Sequence, residues 1–75
     1  MNTQEIESKL AQNIWFETET TKTYYSDSAY LLLGVYDTGI FVEGNLFVNG
    51  DVKGISRKFE NHELELAKKF VAEKI

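Results

Sequence analysis

Few side chains here are of the kinds that do covalent or acid–base chemistry, and their spacing does not gather them. His62 is the only histidine, set in Glu60-Asn61-His62-Glu63-Leu64-Glu65. A zinc site needs further imidazole or thiolate ligands, and this run is not the two-histidine helical motif, so a solvated helix start is expected. Glu17 and Glu19 stand two apart; on a strand they would share a face, as paired carboxylates must for general acid–base work. Nothing beside them in the sequence marks a pocket. Ser8, Ser26, Ser28 and Ser56 lie in no nucleophile elbow, and the lone histidine would have to serve them as base. The chain has no cysteine, which removes thiol nucleophiles, disulfides and the thiolate-rich metal sites. No enzyme, cofactor or metal is expected. The five glycines, Gly34, Gly39, Gly44, Gly50 and Gly54, do not have the spacing of a phosphate-binding fingerprint and read as turns and bulges.

The chemistry that remains is that of association, carried by charge and by rings. Residues 1–51 hold eight acidic and two basic side chains, a net of −6, whereas residues 52–75 net +2. Glu17, Glu19 and Glu43 in the presumed strand region would steer or pair with cations on a basic protein surface. Lys53, Arg57 and Lys58, with Lys68 and Lys69 beyond them, offer the alternative of phosphate contacts. Five scattered cations on a chain of net charge −4 make a weak nucleic-acid footprint.

The elements that must position these groups follow from periodicity. Ile6, Leu10 and Ile14, with Ala11 beside them, make a narrow apolar stripe on an N-terminal helix capped by Asn2 or Thr3, with Glu5 and Lys9 paired one turn apart. Trp15 to Tyr25, rich in threonine and aromatics, reads as one irregular or edge strand. Ser26-Asp27-Ser28 turns the chain into strands at Ala29–Tyr36, Ile40–Val48 and Asp51–Lys58, separated by Asp37-Thr38-Gly39 and Asn49-Gly50. Asn-Gly between apolar runs is the signature of a type I′ hairpin. Leu64, Ala67, Val71 and Ile75, widened by Leu66 and Phe70, give a C-terminal helix over residues 61–75, capped by Asn61, with Glu65 paired to Lys69. Seventy-five residues leave room for one core, so the expectation is a single α+β domain, 1–75: an antiparallel meander of three to four strands flanked by an N-terminal and a C-terminal helix.

Alternation within the meander gives two apolar faces. If Leu31, Leu33, Val35, Ile40, Val42, Leu46 and Val48 point inward, then Tyr30, Leu32, Tyr36, Phe41 and Phe47 point outward, with Glu43 and Asn45 between them. Two helices can cover only one side of so small a sheet, and an uncovered aromatic patch marks a binding surface. Tyr30, Tyr36, Phe41 and Phe47 are therefore the expected anchors for a protein partner, and a homodimer through the same face is the third possibility. No run of about 18 apolar residues occurs, so no membrane span is expected. The acidic N-terminus is unlike a secretory signal, and the cytoplasm, or a host cytoplasm for a phage-encoded chain, is the expected location.

Helix, strands, helix is also the order of elements in double-stranded RNA-binding domains, and Phe47-Val48-Asn49-Gly50-Asp51-Val52-Lys53-Gly54 running into the last helix resembles their final hairpin. That family grips phosphate with a basic cluster at the start of the last helix, where this chain has Glu60-Asn61-His62-Glu63-Leu64-Glu65, so the resemblance carries no RNA-binding residues across. In size, acidity and element order the chain also resembles small phage-type inhibitor proteins, some of them anti-CRISPR proteins, which occupy the basic nucleic-acid surface of a nuclease. That resemblance implies a non-enzymatic inhibitor and transfers no residue.

Overall fold

The computed structural model describes the whole chain, Met1–Ile75. The chain runs through helix α1 (Thr3–Asn13), strands β1 (Ile14–Glu17), β2 (Thr21–Tyr25), β3 (Ala29–Tyr36), β4 (Gly39–Val48) and β5 (Asp51–Phe59), a 3₁₀ turn at Asn61–Glu63, and helix α2 (Leu64–Lys74). The strands form one antiparallel sheet in sequence order, β1-β2-β3-β4-β5. The α+β meander between terminal helices is thus as expected, but with five strands rather than three or four.

The additional strand comes from Trp15–Tyr25, which is a hairpin and not one strand. Its turn is built by hydroxyls. Thr18 Oγ1 accepts from the amides of Thr21 at 3.1 Å and Thr20 at 3.4 Å and lies 2.7 Å from Thr21 Oγ1, while Thr18 N donates to Thr21 O at 2.8 Å. Threonine hydroxyls can replace the glycine and asparagine chemistry of a tight turn, though more weakly. At Asn49-Gly50 the ordinary signal is present: φ is 51° and 84°, both left-handed as a type I′ turn requires.

α1 is capped by Asn2, whose Oδ1 accepts from Glu5 N at 2.8 Å while Glu5 Oε1 accepts from Asn2 N at 3.1 Å, a reciprocal capping box. That bond commits Glu5, and no Glu5–Lys9 ion pair forms. Ile14 is the first residue of β1 rather than the last of the helical stripe. At the other end Asn61 does not cap α2; its amide donates instead to Tyr36 O at 2.7 Å, pinning the helix entry to the end of β3. The entry is closed by Glu63, whose carboxylate accepts from Glu60 N at 2.9 Å. Lys68 pairs with Glu65 at 3.8 Å and with Glu7 of α1 at 3.1 Å, in place of the Glu65–Lys69 pair.

Both helices lie on one face of the sheet. The core joins Ile6 and Leu10 of α1 and Ala67, Val71 and Ala72 of α2 to Tyr24, Ala29, Leu31, Leu33, Ile40, Val42 and Phe59. Leu31, Leu33, Ile40 and Val42 point inward as alternation requires, and Leu46 packs partly buried beside them. Val35 and Val48 share that face but stay exposed, lying toward strand ends.

Candidate docking face of the sheet

The register fixes which side chains stand on the face opposite the helices. Tyr24 and Leu31 are opposite one another and buried in the core. Their chain neighbours therefore point away from the helices, since successive strand residues alternate. One outward row runs Phe16, Thr23, Leu32, Glu43, Ser56; the next runs Tyr25, Tyr30, Asn45, Gly54; Phe47 and Val52 pair beyond it, and Thr21, Gly34, Phe41 and Lys58 form the row on the other side.

Rings dominate this face. Trp15 meets Tyr30 edge-on with centroids 6.0 Å apart, Tyr30 meets Tyr25 at 6.2 Å, and Tyr25 meets Phe47 at 6.4 Å. Such edge-to-face pairs add about 0.5–1.5 kcal/mol each beyond burial. A second group joins Tyr36 and Phe41 at 6.0 Å, with Lys58 Nζ 5.8 Å above the Phe41 ring. Tyr36 lies over Gly34, where an added Cβ would fall 2.6 Å from its ring. Gly44 allows a different close approach: its φ is +154°, and a Cβ there would sit 2.0 Å from Tyr30 O. It is a point of backbone contact and not a bulge; the sheet's register shift lies in β1, between Ile14 and Phe16.

These rings stay wet. Trp15 is 68% exposed, Phe16 60%, Tyr25 52%, Tyr36 42% and Val52 67%, while Tyr30, Leu32, Phe41 and Phe47 are half-buried. Every anchor read from the sequence, Tyr30, Tyr36, Phe41 and Phe47, is on this face. Trp15, Phe16, Tyr25 and Val52 were missed. For the first three, the unsignalled turn at Thr18–Thr20 hid the alternation; Val52 was readable from its pairing with Phe47.

The acids divide. Glu43 stands in the middle of the ring face, opposite Leu32 and Ser56. Glu19 is exposed in the β1–β2 turn at one end of the sheet, as is Asp37 in the β3–β4 turn, and Asp27 is exposed in the β2–β3 turn at the other end. None of these four takes part in an ion pair. Glu17 is on the helix side, opposite Lys22 and 3.7 Å from its Nζ, so Glu17 and Glu19 form no carboxylate pair. The cations divide too: Lys58 is on the ring face, while Lys53 and Arg57 lie in helix-side rows with Leu46 and Val42. No group of three or more His, Cys, Asp or Glu side chains is placed to hold a metal ion, and no helix is long and apolar enough to cross a membrane. Set against protein-family models, curated proteins and solved structures, the chain matches none.

Proposed function

We propose that this chain is a non-enzymatic protein-binding module, an inhibitor or adaptor, that presents the acidic, aromatic outer face of its sheet to a partner with a basic surface, whose apolar groups meet the rings and whose cations meet Glu43 and the acidic ends of the sheet. The observation that carries this is the exposure of Trp15, Phe16 and Tyr25 beside half-buried Tyr30, Phe41 and Phe47 on a face no helix covers. Five strands about 4.8 Å apart and eight residues rising about 3.4 Å each make a face of roughly 650 Å², near the ~800 Å² per partner of a standard interface. Aromatic anchors dominate the energetics of such interfaces, and Glu43, standing between the two ring groups, calls for a cation of the partner opposite it.

The charge around the rings favours a basic partner over a second copy of the chain. Glu43 within the face and Glu19, Asp27 and Asp37 at its ends have no cation of their own, against the single Lys58. Two such faces laid together would bring acids toward acids, whereas lysines and arginines on a partner's rim would meet them and speed encounter. Lys53 and Arg57 stand on the far side of the sheet from Lys58, which leaves the ring face without the cation stripe that a nucleic-acid platform uses. The likeness to small acidic phage-type inhibitors accords with this reading.

The test is affinity capture from native host extract with the wild type, with Trp15→Ser/Tyr25→Ser, and with a helix-side control, Gln12→Ser, on the exposed face of α1. The reading requires a partner retained by wild type and control and lost with the ring variant, while the circular dichroism of all three is the same. Retention by all three would refute it, and so would a concentration-dependent dimer of the pure protein in sedimentation.

A further inference from the structure

β5 is an outer strand of the sheet, paired on one side only. Opposite residues in an antiparallel ladder alternate between pairs that exchange both hydrogen bonds and pairs that exchange none. A two-residue hairpin makes its flanking pair the bonded kind, here Val48 with Asp51. Asp51, Lys53, Ile55, Arg57 and Phe59 therefore bond to β4, and Val52, Gly54, Ser56 and Lys58 turn their N–H and C=O groups outward, where no further strand lies.

Beside this edge, between β5 and α2, is a groove of about 130 Å³ lined by Arg57, Phe59, Leu66, Lys69, Phe70 and Glu73. It lies on the helix side, so alternate side chains of an added strand would point into it. Leu66 is 47% exposed there. The Arg57 guanidinium is held over two rings, 4.7 Å from the Phe59 centroid and 5.1 Å from that of Phe70, and belongs to no ion pair or side-chain hydrogen bond. An arginine stacked on rings with its fork of N–H donors free is preorganised for bidentate contact with a carboxylate. Lys53 is two rungs along β5 on the same side, and Lys69 of α2 lines the groove with Arg57; Glu73 is the one acid lining it.

We propose that the β5 edge is a second docking site, which takes an extended, carboxylate-bearing segment of a partner protein as a sixth strand and seats one of its carboxylates on Arg57. Main-chain bonds supply affinity and the alternate side chains supply selectivity, as in other strand-addition sites. Acidic residues opposite Lys53 and Arg57, with an apolar residue opposite Ile55, match the edge. The groove that receives the carboxylate is on the opposite side of the sheet from the rings, and the added strand bonds to the β5 edge alone.

The experiment uses the full chain and an end-blocked peptide, Leu-Thr-Glu-Thr-Val-Thr-Glu, which places its glutamates opposite Arg57 and Lys53 when it lies antiparallel. Saturating peptide is expected to slow amide exchange at Val52, Gly54, Ser56 and Lys58 and at no residue of β1. Arg57→Gln is expected to weaken binding about tenfold or more, and a lysine-for-glutamate peptide to lose it. Ser56→Pro removes an outward N–H while sparing the β4 ladder, so it should fold and fail to bind. Tyr25→Thr should bind the peptide as the wild type does, which separates this site from the ring face. Protection centred on β1 to β3 rather than β5, equal affinity for Arg57→Gln, or slow exchange along β5 from self-association without peptide would overturn the proposal.

Discussion

Gly44 and Tyr24 show how much of this fold turns on single side-chain groups. A Cβ at Gly44 would lie 2.0 Å from the carbonyl oxygen of Tyr30 with the backbone at φ +154°, so neither space nor conformation admits it. Gly44→Ala is expected to cost roughly 3 kcal/mol in urea unfolding, whereas Gly54→Ala, where nothing lies within 4 Å, should change little. Tyr24 is buried beneath α1, and burial first, then the charges of Glu7 and Glu17, raise its phenol above the ordinary 10.0. The fold thus holds the proton more tightly than the unfolded chain does. Its stabilising effect is complete below pH 10.0 and drains away as pH climbs through the raised value. Urea midpoints measured below and above that pH should fall less steeply in Tyr24→Phe, which has no proton to release.

At the scale of elements, the sequence disclosed what glycine, asparagine and long apolar periods encode. The Asn49-Gly50 hairpin, β3, β4 and β5 nearly to the residue, and both helices were legible because their signals are local. The β1–β2 hairpin was not, because Thr18 closes it with a hydroxyl rather than a special backbone residue. Thr18→Ala should therefore cost about 1 kcal/mol and speed amide exchange at Thr20 and Thr21 while leaving β3 to β5 protected. The helix caps illustrate the same limit. Asn2 was readable from its neighbours, but Asn61 bonds Tyr36 O, 25 positions earlier in the chain, and no local pattern announces a partner so distant.

For the molecule as a whole, alternation along β3 and β4 already implied a sheet with two apolar faces and a lid for one. Glu43 was legible on the open face, whereas the sides of Glu17 and Glu19 were not, because a register shift between Ile14 and Phe16 sends Glu17 to the helix side and Glu19 falls in the turn. The acidic ends of the sheet, Glu19, Asp27 and Asp37, would set the sign of the field that the proposed partner meets. Replacing all three by their amides should slow association with a basic partner and flatten its dependence on salt, with little change in dissociation, because long-range attraction acts on encounter.

Whether the outer rings belong to the folding core can be read from unfolding free energies of Tyr25→Thr and Leu31→Ala, compared in the same urea titration. Leu31 is fully buried beneath the helices and its truncation should cost about 2–5 kcal/mol. Tyr25, half exposed on the other side and losing two edge-to-face pairs, is expected to cost about 1–2 kcal/mol. A loss at Tyr25 as large as that at Leu31 would make the outer rings part of the core and would remove the basis for a docking face.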